Sequence, residues 1–172
     1  MTAFKGFFQL QTATDLLQKL ESDYQRVQAE PRSPYAAFDF FVTAEHLIDW
    51  LYPGDTPTDA AKRNQERKGS ALLRTCSHLA NGSKHFQATA KRHQSVVEAH
   101  DRPPAVFGEA AFGLSHFGDG TGGLEIQLEA QEAQDLGVPG YIDALNLATR
   151  VRDYWRAHPD LQPPASVVSE IR

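Results

Sequence analysis

Arg74, His78, Asn81 and His85 stand at i, i+4, i+7 and i+11, a spacing that aligns four side chains along one stripe of a helix. Lys84 precedes His85 directly. An imidazole that gives and takes a proton, beside a cation that holds a phosphate and its developing charge, is the residue set of phosphate-ester chemistry. A second reading uses the same histidines as metal ligands. His46, Asp49, His78 and His85 make a candidate His/carboxylate site for zinc, iron or manganese in a helical bundle, although the paired Glu-x-x-His segments of carboxylate-bridged bundles are absent. A third reading leaves these groups to hydrogen-bond with the backbone at the ends of a bundle.

The elements that must position these residues follow from apolar period and capping residues. Thr12 or Thr14 caps a first helix carrying Leu16, Leu17, Leu20, Tyr24 and Val27, and the prolines at 31 and 34 end it. Ser33 and Pro34 form an N-cap and first-turn pair for a second helix, Tyr35 to Leu51. On it Asp39, Thr43, His46 and Trp50 repeat the i, i+4, i+7, i+11 spacing, so antiparallel neighbours in a bundle can turn this stripe toward that of Arg74 to His85. A polar helical stretch starts at Asp59, and from Ser70 the residues Leu72, Leu73, Cys76, Leu79 and Ala80 restore an apolar face. Asn81-Gly82 is either a helix C-cap or an interruption. Residues 87–100 fit a helix or a strand containing Val96 and Val97.

Pro103-Pro104 breaks the chain. Beyond it, the glycine-rich run 118–123 before the alternating Leu124, Ile126 and Leu128 predicts a β-hairpin within 105–130. That run precedes a strand and lacks a Lys-Ser/Thr, so it reads as a turn and not as a phosphate loop. A last helix runs from Tyr141 to about His158, and 159–172 form a proline-containing tail. The fold expected is therefore mainly α: a single domain over 1–172, built as a bundle of four to five helices with a small β-hairpin inserted before the last helix.

The 172 residues are 41% hydrophobic and 10% aromatic, enough for a sizeable core and against wholesale disorder. One cysteine, Cys76, excludes an internal disulfide framework and a cysteine-rich zinc site. It lies on an apolar helix face, where a core role is expected and a nucleophilic one is not. No stretch is apolar enough to span a bilayer, and the first residues lack a signal-peptide pattern, so a cytoplasmic protein without membrane contact is expected. The net charge of −5 is a sum of unlike parts. Residues 62–93 hold eight Lys and Arg against the single acid Glu66, whereas residues 105–172 hold four Arg against ten acids. The basic stretch contains Arg74, His78, Asn81, Lys84 and His85, so a phosphate-rich partner such as RNA is a candidate for the Lys62 to His93 face, alongside a partner protein. Basic helices are also commonly only solvated faces. No cofactor is expected.

The stretch Phe41-Val-Thr-Ala-Glu-His46-Leu-Ile-Asp49-Trp50-Leu, followed by Leu73-Arg-Thr-Cys-Ser-His78-Leu-Ala-Asn81-Gly-Ser-Lys84-His85-Phe86, resembles paired helices of small bacterial proteins that are mostly uncharacterised. More distantly it is similar to the HEPN superfamily. That resemblance covers about Tyr35 to Phe86, and its distinctive part is Asn81-x-x-Lys84-His85. It implies a helical bundle, often a homodimer, related to ribonucleases or their inactive relatives in toxin–antitoxin and phage-defence systems. HEPN nucleases carry Arg and His separated by four to six residues. Here three residues separate Arg74 from His78, and the pair within that window is Arg152 and His158, of which about one is expected by chance. The expectation is thus an RNA- or protein-interaction module, with a metal-independent ribonuclease or a His/Asp metal-binding bundle as alternatives.

Overall fold

The computed structural model describes residues 6–84, 94–102 and 122–162. The chain orders as helices α1 (Ala13–Ala29), α2 (Pro34–Leu51), α3 (Pro57–Gly69) and α4 (Ala71–Lys84), strands β1 (Val96–Arg102) and β2 (Gly123–Leu128), helix α5 (Ala130–Leu136), strand β3 (Tyr141–Asp143), helix α6 (Ala144–Ala157) and a 3-10 turn at Pro159–Leu161. The expected architecture is present: a mainly helical bundle with a small antiparallel sheet ahead of the last helix.

Local chemistry starts most helices where the sequence indicates. Thr12 caps α1 in a reciprocal box with Asp15, whose carboxylate takes the Thr12 amide at 2.9 Å while its own amide donates to Thr12 Oγ1 at 3.1 Å. Ser33 caps α2 with Pro34 in the first turn, and Thr56 caps α3 in the same manner. Ser70 is extended and separates α3 from α4. Asn81-Gly82 does not end α4, which runs on to Lys84. This resolves the open choice at that dipeptide in favour of a continuous helix.

The sheet is where expectation and structure part. β2 carries the alternating Leu124, Ile126 and Leu128 as foreseen, but among the described residues it pairs antiparallel with β1 on one side and β3 on the other. Its described neighbour ahead of the Pro-Pro break is Val96–Arg102; of the expected 105–130 hairpin, residues 123–128 form β2, and residues 103–121, with most of the glycine-rich run, lie outside the described residues. The ambiguous stretch 87–100 ends as strand. The last helix starts at Ala144, three residues later than expected, because Tyr141–Asp143 joins the sheet edge and the Asp143 carboxylate then caps the Leu145 amide at 2.9 Å. α5 was not anticipated. It ends on Gly137 in the left-handed conformation (φ 66°), with the Val138 amide returning to the Ala133 carbonyl at 2.9 Å, a close that a side-chain-bearing residue adopts only at a cost.

One core serves the whole described structure. Leu20 and Val27 of α1, Phe40, Leu47 and Ile48 of α2, Leu73 and Cys76 of α4, and Leu147, Val151 and Trp155 of α6 are buried together, and the sheet adds Ile126, Leu128 and Ile142. Each large apolar side chain so enclosed contributes about 1.5–3 kcal/mol. α3 buries no residue fully and is held by its polar contacts.

Candidate functional site

Helix α4 carries the predicted stripe, and each described member of it has a defined partner. Arg74 donates Nε to Glu132 Oε1 at 2.8 Å and Nη2 to Glu132 Oε2 and to Asp135 Oδ2, both at 2.6 Å. Its Nη1 reaches the Lys68 carbonyl at 2.7 Å. Glu132 is buried and also accepts from Ser95 Oγ at 3.0 Å. These bonds to Glu132 hold the guanidinium above its usual range and tie α4 to α5 and to the segment leading into β1.

One turn on, His78 Nδ1 accepts the backbone amides of Ser95 at 3.1 Å and Val96 at 2.9 Å. Only a neutral imidazole with a bare Nδ1 can do this. Burial pushes the His78 pKa down, against the pull of Glu129, so the acceptor form is the favoured one. Asn81 donates Nδ2 to the Ser77 carbonyl of its own helix at 2.8 Å. Lys84 is exposed at the helix C-terminus, where the helix dipole favours a cation. His85 lies outside the described residues.

The stripe on α2 does not face α4. Asp39 pairs with Arg26 of α1 at 2.7 Å, and Thr43 donates to the buried Asp23 at 2.6 Å while accepting from Lys19, so both look toward α1. His46 is exposed. What α2 offers α4 is Glu45, which accepts from Ser77 Oγ at 3.3 Å and from Arg67 Nε at 2.7 Å. Burial raises the Glu45 pKa and Arg67 draws it back. Asp49 also pairs with Arg67, at 3.2 Å. Among the described residues no group of three or more His, Cys, Asp or Glu is placed to hold a metal, so His46, Asp49 and His78 are not brought together. Cys76 is fully enclosed, and burial lifts its thiol well above the usual range, as a core role requires. Arg152 and His158 diverge: the guanidinium lies 4.1 Å from the centre of the Tyr24 ring, whereas His158 caps the 3-10 turn and sits 3.6 Å from Glu66.

Of the described basic residues in the stretch, the three arginines are engaged inside the fold. Arg63 donates to the carbonyls of Tyr52 and Gly54, Arg67 holds Glu45 and Asp49, and Arg74 holds Glu132 and Asp135. Lys62, Lys68 and Lys84 are exposed. Glu66, the lone acid, accepts from Tyr154 Oη at 2.8 Å and Tyr52 Oη at 3.4 Å. Burial, with Glu66 and Asp160 beside it, pushes the Tyr52 phenol up to about 12.

A feature that the stripe reasoning missed opens at the other end of α4. A groove of about 560 Å³ lies between the start of α2, the end of α4 and the sheet, with Phe38, Phe41, Leu79, Ala99, Leu124 and Ile126 forming its apolar lining. Arg32 and Asp101, bonded at 2.6 Å and 3.2 Å, stand at its edge. The signal for it was the start of α2, Tyr35-Ala-Ala-Phe38-Asp-Phe-Phe41, which is apolar on more faces than one buried stripe needs. Phe38, at the groove wall, stays 48% exposed.

No protein-family model, no curated protein and no solved structure matches the chain.

Proposed function

We propose that this protein is a non-catalytic interaction module of a HEPN-like kind, which takes the apolar side chains of a partner protein segment into the groove between α2, α4 and the sheet. The observation that carries the reading is the groove itself: an apolar floor, an exposed phenylalanine at its wall and a fixed ion pair at its edge, the layout of a pocket that anchors a few large side chains within a polar rim. The ribonuclease alternative loses support because Arg74 and His78 already have internal partners that a substrate phosphate would have to displace. RNA binding through the Lys62 to His93 face rests on lysines, since the arginines described there are engaged.

Two measurements test this. An apolar fluorescent probe, anilinonaphthalene sulfonate, is expected to bind saturably to the folded protein and to lose most of that signal in Phe38→Glu at an unchanged circular dichroism spectrum. Equal binding to the variant overturns the groove as the contact site. RNA incubated with the protein in EDTA is expected to stay intact; cleavage that His78→Ala abolishes replaces the reading with the ribonuclease.

A further inference from the structure

The groove has two sides that different parts of the chain supply. Leu79, Gly82 and Ser83 come from the end of α4, and Ala99, Leu124 and Ile126 come from the sheet. His78 directly precedes the first of these α4 residues, and its Nδ1 accepts the amides of Ser95 and Val96, which lead into the strand that carries Ala99. One imidazole nitrogen therefore fastens α4 to the start of β1, beside the groove that the two elements enclose.

The fastening has a chemical weakness. A nitrogen that accepts two N–H groups does so through its lone pair, and a proton placed there turns the acceptor into a donor that faces two donors. Both bonds are then lost together, and the two amides are left to water. His78 is half-buried, so a proton from solvent reaches it without opening of the core. Burial disfavours the imidazolium, and Glu129 at the cap of α5 favours it less strongly. The other charges around it are engaged or turned to solvent: Arg74, one turn earlier, is held by Glu132 and Asp135 of α5, Glu45 of α2 is held by Arg67 and Ser77, and Glu98, the first charged residue of β1, is exposed.

The sheet does not depend on this link. β1 pairs with β2 from Glu98 to Arg102, beyond the irregularity that follows Val96, and Ile126 is buried in the core. Parting of the two His78 bonds accordingly frees the α4 side of the groove from the sheet side and leaves the core in place. We propose that His78 is a proton switch on the groove: its neutral form holds the two sides at binding distance, and its protonation parts them and releases what the groove holds. This control presupposes the groove as the contact site. By linkage, an occupied groove resists protonation of His78, so binding is complete above the ordinary histidine value of 6.5 and is lost as pH falls through the lower, folded-state value.

A pH titration of the full chain with an uncharged apolar dye, Nile red, tests the switch. The dissociation constant for the dye is expected to rise about tenfold as His78 takes up its proton, while the circular dichroism spectrum stays unchanged. His78→Gln keeps an acceptor that takes no proton, and its dye affinity is expected to stay within about twofold over the same range. His100, which also lines the groove, remains in that variant, so a fall that persists there overturns the assignment to His78. So does a constant dye affinity in the unmodified chain, or a loss of circular dichroism that tracks the loss of dye. Nuclear magnetic resonance of the unmodified chain gives a readout that needs neither dye nor variant. The Ser95 and Val96 amide proton signals are expected to move toward those of unbonded amides at the midpoint of the His78 ring signals, and the Ser83 amide signal is expected to follow them. A dye that binds at no pH overturns the groove as the contact site, whereas amide signals that ignore the His78 titration overturn the switch.

Discussion

The two parts of α4, before Leu79 and from it onward, are treated by the fold in opposite ways. Up to and including His78, Arg74 and His78 end on carboxylates and amides contributed from up to 61 residues away. Beyond it, Leu79, Gly82 and Ser83 line a groove that the fold leaves open. The polar residues that look most chemical are the ones spent on architecture, and the bland apolar ones are the ones left for a ligand. A side chain's type says what it can bond to. Its availability depends on whether the fold has already supplied that bond.

Breaking the committed half has the largest expected effect. Arg74→Ala strands the buried Glu132 carboxylate, and the loss of stability is expected at about 3 kcal/mol, read as a lower midpoint of urea unfolding at constant slope. His78→Ala leaves the Ser95 and Val96 amides without their acceptor, at a cost of about 1–3 kcal/mol in the same measurement. The imidazole also gives this half a pH dependence. Its folded-state pKa lies below the ordinary 6.5, so its stabilisation is complete above that value and is lost as pH falls through the folded one. Stability is expected to drop as pH falls below the ordinary 6.5, and His78→Gln, which keeps an acceptor and cannot take up a proton, is expected to flatten that part of the profile. The open half responds least. Ser83→Ala removes only a hydroxyl bonded to the Ala80 carbonyl at an exposed position, and a change within about 0.5 kcal/mol is expected. A Ser83→Ala loss as large as that of Arg74→Ala erases the contrast between the halves.

What was legible in the sequence was what neighbours in the chain decide. Thr12 with Asp15, Ser33 with Pro34, and the period of Leu16, Leu20, Tyr24 and Val27 act within a turn or two, and they put α1 and α2 in place. β1 was legible only as one of two alternatives, helix or strand, because a strand exposed on nearly every residue has no alternation to display. β3 was absorbed into the helix after it because three residues are too few to show a period, and its role comes from pairing with β2. The fate of the Arg74 stripe was hidden for the same reason. Glu132 and Asp135 sit on a seven-residue helix whose docking is a tertiary event, and nothing local to Arg74 announces them. On α2, the i, i+4 spacing of Asp39 and Thr43 was read correctly as one stripe, but spacing does not say which neighbour the stripe faces, and α1 took it.

Helix α3 buries no side chain fully and is fastened to the rest of the molecule by polar contacts through Arg63, Glu66 and Arg67, which lie within little more than one turn. Such a helix has no hydrophobic store of its own to draw on when those contacts part. Its amides can then exchange with solvent by local opening, while α1, α2 and α6 wait for global unfolding. The basic stretch thus begins on the part of the fold that is cheapest to open, and any partner that gripped α3 would be choosing between two states of it that differ by little more than a few hydrogen bonds.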